Sequence, residues 1–305
     1  MTLKVLLAVD GSEYMGIAVK TLKALKLRGK TELTIMTVVP EHTFLGGITL
    51  RRIMGDAAAR ERAHKAQDKR AATLLQESID LLGAVSMNVE TLVARGNPAE
   101  QIIGQAHEIH ADLVVIGAKG VTNSARFPLG SVAQKVMKYA GTSVLLVREA
   151  TKRVKRVLLA TDGSKYSDAA ARFLISLPLP RQGRIILVSS LQSHMAALVR
   201  MPTLDIQTNR RILEGLRAAE EEAARSLMAK TVKQFRAKGY EVESFVLHGE
   251  PAAEILAVAR TLNPDLVAVG AKGLSGIESF LLGSVAQRVA RFSRYSVLIV
   301  RAPRR

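Results

Sequence analysis

The 305-residue chain contains no cysteine, which excludes a disulfide framework and thiolate metal sites. Aromatic residues make up only 4% of it, so few side chains are available as stacking faces for unpaired bases. No apolar stretch approaches the roughly 20 residues that cross a bilayer, so no membrane span is expected. The opening run MTLKVLLAVDG is cut short by Asp10, and no small-residue cleavage site follows it. A secretory signal is therefore not expected, and the composition is that of a cytoplasmic protein.

Acidic residues are also scarce, with 27 Asp and Glu against 44 Lys and Arg, for a net charge of +17. Residues 1–150 carry 19 basic and 14 acidic side chains, and residues 151–305 carry 25 and 13. Such a balance favours anionic partners: nucleotide phosphates, nucleic acid or acidic lipid. The basic residues are dispersed, however, with modest clusters at Lys152–Arg156 and Arg304–Arg305. Without aromatics beside them, a generally basic surface is the better reading and nucleic acid the lesser one.

What the chain does have is a long repeat. KVLLAVDGSEY, from residue 4, returns as RVLLATDGSKY from residue 156; RGNPAEQI, from 95, returns as HGEPAAEI from 248; SVLLVR, from 143, returns as SVLIVR from 296. A period this long is a duplicated domain and not a solenoid unit. Between two strand-like runs, Glu149 to Lys155 is polar and basic, which sets domains at residues 1–150 and 151–305. Each is of ordinary size for a domain with its own core.

Each half reads as strands alternating with helices. In the first, Leu3–Val9, Leu33–Val39, Met87–Ala94, Leu113–Ile116 and Val144–Val147 read as strands. Tyr14–Leu27, Asp56–Leu82, Pro98–His110 and the stretch after Gly130 have helical spacing, and a loop containing Gly46–Gly47 precedes the long helix. The second half follows the same plan, with its long helix at Asn209–Lys238. Apolar strands alternating with helices imply an α/β fold, a parallel sheet with helices on both faces.

The pattern Gly-x2-Gly-x9-Gly-Ser occurs once per half, at Gly117, Gly120, Gly130 and Ser131 and at Gly270, Gly273, Gly283 and Ser284. Each copy follows an apolar strand and opens a helix. Such a loop lets backbone amides approach phosphate while the helix N-terminus attracts its charge. It is not a Walker P-loop, which needs Gly-Lys-Ser/Thr in one short turn. For each motif glycine, a turn needing positive φ is the alternative reading. For Asp10, Ser12, Ser131 and Ser284, plain helix capping is the alternative.

Over both halves the sequence resembles the universal stress protein family in its tandem two-domain form. The resemblance implies two doubly wound, Rossmann-like domains, each with five parallel strands in the order 3-2-1-4-5. The first and fourth strands then flank the switch point, where ligands bind beyond the strand ends. It also implies ATP, or another adenine nucleotide, in each domain. Asp10 and Asp162 are carried over as nucleotide contacts, with Mg²⁺ through the nucleotide as a further role. Ala8, Val9, Ala160 and Thr161 would line the adenine side, and Val38 would present its backbone to the adenine edge, with Ser189 in that place in the second half. The phosphates would fall to the motif glycines, Ser131, Val132, Ser284 and Val285. Lys119 and Lys272 stand between the first two glycines, either reaching phosphate as mobile charges or remaining solvated. Arg126 has no basic counterpart, since Ser279 and Glu278 stand there.

Signals for catalysis are sparse. HEIH at 107–110 places two imidazoles one helical turn apart, without a third ligand. His248 borders the end of a strand, and no nucleophile–base arrangement stands out. The reading is therefore a nucleotide-responsive stress factor with no catalytic residues. A slow Mg-dependent ATPase, or a basic module binding nucleic acid or another anion, stands as the alternative. The resemblance also implies assembly: single-domain relatives commonly dimerise through the last strand, so the two halves are expected to meet through 143–148 and 296–301, and whole chains to form a homodimer.

Overall fold

Five consecutive residues, Val5 to Val9, are buried in the first strand. Alternate side chains of a strand point to opposite faces, so such a run belongs inside a sheet covered on both sides. The computed structural model describes residues 2–27, 31–40, 44–45, 48–49, 57–85, 87–121, 128–180, 183–191, 206–273 and 282–302. Two compact units emerge, Met1–Arg153 and Val154–Arg305.

In the first unit the chain runs β1 (Leu3–Val9), α1 (Glu13–Ala24), β2 (Thr31–Val39), β3 (Phe44–Leu45), β4 (Ile48–Thr49), α2 (Ala57–Leu82), β5 (Asn88–Arg95), α3 (Pro98–Glu108), β6 (Leu113–Gly117), α4 (Ser131–Tyr139) and β7 (Ser143–Val147). The strand order is β5-β2-β1-β6-β7, with parallel pairing throughout. α1 packs with α2, and α3 with α4, covering the two faces. β3 and β4 pair antiparallel where the sequence suggests only a loop, while Gly46 and Gly47 themselves lie outside the described residues.

The second unit runs β8 (Arg156–Ala160), α5 (Lys165–Ser176), β9 (Arg184–Leu191), α6 (Ile206–Arg236), β10 (Glu241–His248), α7 (Pro251–Leu262), β11 (Leu266–Gly270), α8 (Ser284–Phe292) and β12 (Val297–Val300). Its order is β10-β9-β8-β11-β12, again parallel. Both units therefore have the doubly wound 3-2-1-4-5 topology, and their switch points fall between β1 and β6 and between β8 and β11.

Local chemistry sets several helix starts. Asn97 caps α3, its Oδ1 accepting from the amides of Ala99 at 3.1 Å and Glu100 at 3.4 Å, with Pro98 in the first turn. Glu250 does the same for α7, accepting from Ala252 at 3.2 Å and Ala253 at 2.9 Å ahead of Pro251. α3 ends sooner than its spacing suggests: His110 has φ +51° and lies beyond the helix. Buried positions on the long helices match at an interval of 153 residues, as in Ala71 with Ala224, Leu75 with Met228, Ser78 with Thr231 and Leu82 with Phe235. Among the described residues, no helix is long and apolar enough to cross a membrane.

Candidate functional site

β1 and β6 end side by side, with Ala8 paired to Ile116, and this brings the Asp10 turn beside the glycine loop. After β1 the chain reverses at Gly11 (φ +74°), and after β8 at Gly163 (φ +75°), a backbone region that favours glycine. The preceding carboxylate braces each turn. Asp10 Oδ1 accepts from the Ser12 amide at 3.0 Å, and Asp162 Oδ1 accepts from the Ser164 amide at 3.0 Å.

The other carboxylate oxygen faces the glycine loop. A Cβ at Gly120 would lie 2.7 Å from Asp10 Oδ2, and one at Gly273 would lie 2.7 Å from Asp162 Oδ2. The third motif glycine closes the loop from behind. Gly130 N–H donates to the Ala118 carbonyl and Gly283 N–H to that of Ala271, both at 2.8 Å. The amides of Ala118 and Ala271 are in turn tied to the carbonyls of Val147 and Val300, both at 2.8 Å. The two halves of each motif, on either side of a nine-residue insert, are thus stitched into one turn.

The glycines serve different ends. A Cβ at Gly117 would fall 2.6 Å from Tyr14 Cβ, and one at Gly270 2.9 Å from the Tyr166 carbonyl carbon. These two let the following helix close onto the strand. Gly120 and Gly273 leave room for a carboxylate. Gly130 has φ −69° and Gly283 φ −64°, and none of the six motif glycines has positive φ, so the turn alternative does not hold for them. Gly130 and Gly283 are themselves the N-caps of α4 and α8, and Ser131 and Ser284 are the first helical residues, not caps. The amides of Ser131 and Val132, and of Ser284 and Val285, therefore begin their helices at the mouth of the loop, where the helix dipole favours an anion.

In the second unit these parts enclose a cavity of about 280 Å³. Ala160, Thr161, Asp162, Gly270, Lys272, Gly273, Gly283, Ser284 and Val285 all line it, and Ser189 does not. Register explains the exception. Ala8 pairs with Met36 and Ala160 with Val188, so the counterpart of Val38 is Ser190, one residue on and on the opposite face from Ser189. Ser190 lines the cavity, and its hydroxyl donates to the Gly249 carbonyl at 3.1 Å. Ser167, Pro251 and Ile255 also contribute walls that sequence reasoning did not assign. The repeated PAEQI and PAAEI segments carried the signal for the last two. Lys272 stands with its Nζ 5.9 Å from the centre of the Tyr166 ring. Arg126, Glu278 and Ser279 lie outside the described residues.

Helix starts at the two sites differ. In the second, Ser164 Oγ accepts from the Ser167 amide at 3.2 Å, and Thr161 Oγ1 donates to Ser167 Oγ at 3.2 Å. In the first, Val9 and Met15 occupy the matching places, and Ser12 Oγ is buried without a hydrogen-bond partner. Ser12 and Ser164 both stand at the N-cap, but only Ser164 caps through its side chain. Behind the first loop, Arg148 Nη1 donates to the Pro128 carbonyl at 2.9 Å. Burial lowers the guanidinium pKa from its ordinary value, and Tyr14 acts in the opposite sense.

The histidine candidates go elsewhere. His107 and His110 have ring centroids 6.2 Å apart, and no cluster of three metal-ligating side chains occurs among the described residues. His248 Nε2 meets Glu221 Oε1 of α6 at 2.9 Å. Arg95 and Asp68 form the equivalent pair in the first unit.

Residues 1–148 and 153–301 each match the universal stress protein family. The chain is 29% identical over 148 residues to universal stress protein YxiE of Bacillus subtilis, covering 48% of this chain and 98% of that one. It is 26% identical over 221 residues to universal stress protein Rv2005c of Mycobacterium tuberculosis, covering 70% of each. A crystal structure of a universal stress protein from Archaeoglobus fulgidus superposes with a TM-score of 0.62 at 20% identity, covering 98% of this chain and 96% of that one.

Proposed function

The chain belongs to the universal stress protein family, and we propose that each of its domains binds an adenine nucleotide, ATP by preference. In this reading the protein is a cytoplasmic, nucleotide-responsive stress factor, assembling as a homodimer of tandem chains. One observation carries the nucleotide reading: the carboxylate after the first strand of each unit is held over the second glycine of its loop, at a doubly wound switch point. In the second unit the resulting cavity has apolar walls from Val188, Ile255 and Val269, with the glycines of the loop along its rim. Such a cleft suits a flat apolar base joined to an anionic tail.

Charge decides how that ligand lies. A carboxylate repels phosphate, so Asp10 and Asp162 suit the ribose or base, while the amides of Ser131, Val132, Ser284 and Val285 suit the phosphates. Each aspartate is a single carboxylate with one oxygen already occupied by a serine amide. A Mg²⁺ ion there would take most of its ligands from phosphate and water, arriving with the nucleotide. Efficient hydrolysis is not part of the reading, because that carboxylate braces its turn and is not placed as a base beside a nucleophile.

Denaturing the purified full-length protein and identifying released nucleotide by chromatography and mass tests this directly. An adenine nucleotide is the expected product. ATP titration of the Gly130→Val, Gly283→Val double variant is the companion measurement. Each new side chain would enter within 3.3 Å of loop backbone, at Lys119 Cα or at Ala271 O and Lys272 Cα. Unchanged ATP affinity in that folded variant would reject the assigned site.

A further inference from the structure

Away from the cleft, a groove of about 620 Å³ runs between α6 and the edge strand β10 of the second unit. Its floor is Met228, Ala229, Val232 and Ala237, its cationic rim Arg225, Lys233 and Arg236, and Ser244 represents β10. Arg225 is engaged by Glu221 at 2.8 Å. Lys233 and Arg236 have no carboxylate partner among the described residues. The carboxylates of β10 are themselves committed, since Arg184 of β9 meets Glu241 at 3.3 Å and Glu243 at 3.2 Å.

The first unit does not share this feature. At the matching positions, 153 residues earlier, it has Ala72 for Arg225, Asp80 for Lys233 and Gly83 for Arg236. There Asp80 accepts from Gln76 Nε2 at 2.9 Å. The buried face of the long helix is alike in both copies, while these three positions are cationic in the second alone. An ordinary solvated helix surface needs no such change beside β10, the strand that ends this sheet among the described residues.

We infer that this groove docks an extended acidic segment of a partner protein, added alongside β10. An edge strand offers unpaired amides and carbonyls, which an incoming strand satisfies. From Arg225 to Arg236, where the helix ends, it rises about 17 Å at 1.5 Å per residue. That length matches five to six residues of extended chain at about 3.3 Å each. Acidic side chains of the segment meet Lys233 and Arg236, and its apolar side chains lie on Ala229 and Val232. A second copy of this chain is the wrong occupant, since each carries a net charge of +17. Nucleic acid gains nothing from the apolar floor and finds no aromatic residue in the groove for stacking.

Fluorescence anisotropy of a labelled nine-residue peptide alternating glutamate with valine and threonine tests the proposal on the full-length protein. The expected result is saturable binding that weakens at least tenfold in the K233E/R236E variant and when a proline replaces the central residue of the peptide. Both substituted side chains are exposed, and circular dichroism confirms that the variant is folded. Absence of saturable binding, or binding unmoved by either change, overturns the proposal. So does tighter, equally K233E/R236E-sensitive binding of a single-stranded RNA of the same charge. Nucleotide affinity of K233E/R236E remains at the parent value, so this outcome is separate from that of the cleft.

Discussion

Asp10 and Gly120 are 110 residues apart in sequence, yet a Cβ on the glycine would stand 2.7 Å from the aspartate Oδ2. Asp162 and Gly273 repeat the relationship at the same 2.7 Å. Replacing both glycines with alanine displaces the end of a carboxylate side chain, which can swing away, and leaves backbone untouched. Isothermal titration should show ATP affinity reduced at least tenfold, with stability within about 1 kcal/mol of the parent. Parent-like affinity would mean that the aspartates do not face the ligand.

Gly117→Ala and Gly270→Ala are expected to behave in the opposite way. The new methyl group meets Tyr14 Cβ at 2.6 Å or the Tyr166 carbonyl carbon at 2.9 Å, so a helix must shift to admit it. Overpacking of this kind costs about 1–3 kcal/mol. Urea denaturation followed by circular dichroism measures the loss, and a neutral result would contradict the packing role.

The two N-cap serines should separate cleanly. Ser164→Ala removes a cap bond to the Ser167 amide, at a cost of about 1 kcal/mol. Ser12→Ala removes a buried hydroxyl that has no partner, so its effect should be near zero or slightly stabilising. Equal destabilisation of the two variants would refute the difference in capping.

Glu221 gives a prediction in pH. Its hydrogen bond to His248 is the main reason its pKa lies below the ordinary carboxylate value; desolvation opposes this, and the charges of Arg225 and His248 add to the lowering. A depressed folded-state pKa contributes stability above the unfolded value of about 4.3, and loses it as pH falls through the folded value. Carboxyl NMR titration of His248→Gln should therefore show the Glu221 midpoint moving upward.

By itself the sequence determined the duplication, the α/β alternation and the two glycine loops, because each is a local pattern. Apolar runs such as Val5–Val9 require a covered strand, and a motif repeated intact at Gly117 and Gly270 needs no third dimension to be noticed. Tertiary structure decided what the residues are for. The choice between Ser189 and Ser190 depends on strand parity, where one residue of slippage moves a side chain to the other face of the sheet. His110 leaves the helix face shared with His107 because the chain turns left-handed at its own position, which no spacing reveals. Among the glycines, identical letters conceal three duties: Gly117 admits a helix, Gly120 a carboxylate, and Gly130 both caps α4 and closes the loop. Each duty is a contact with residues distant in sequence, and such contacts exist only once the strands have taken their order.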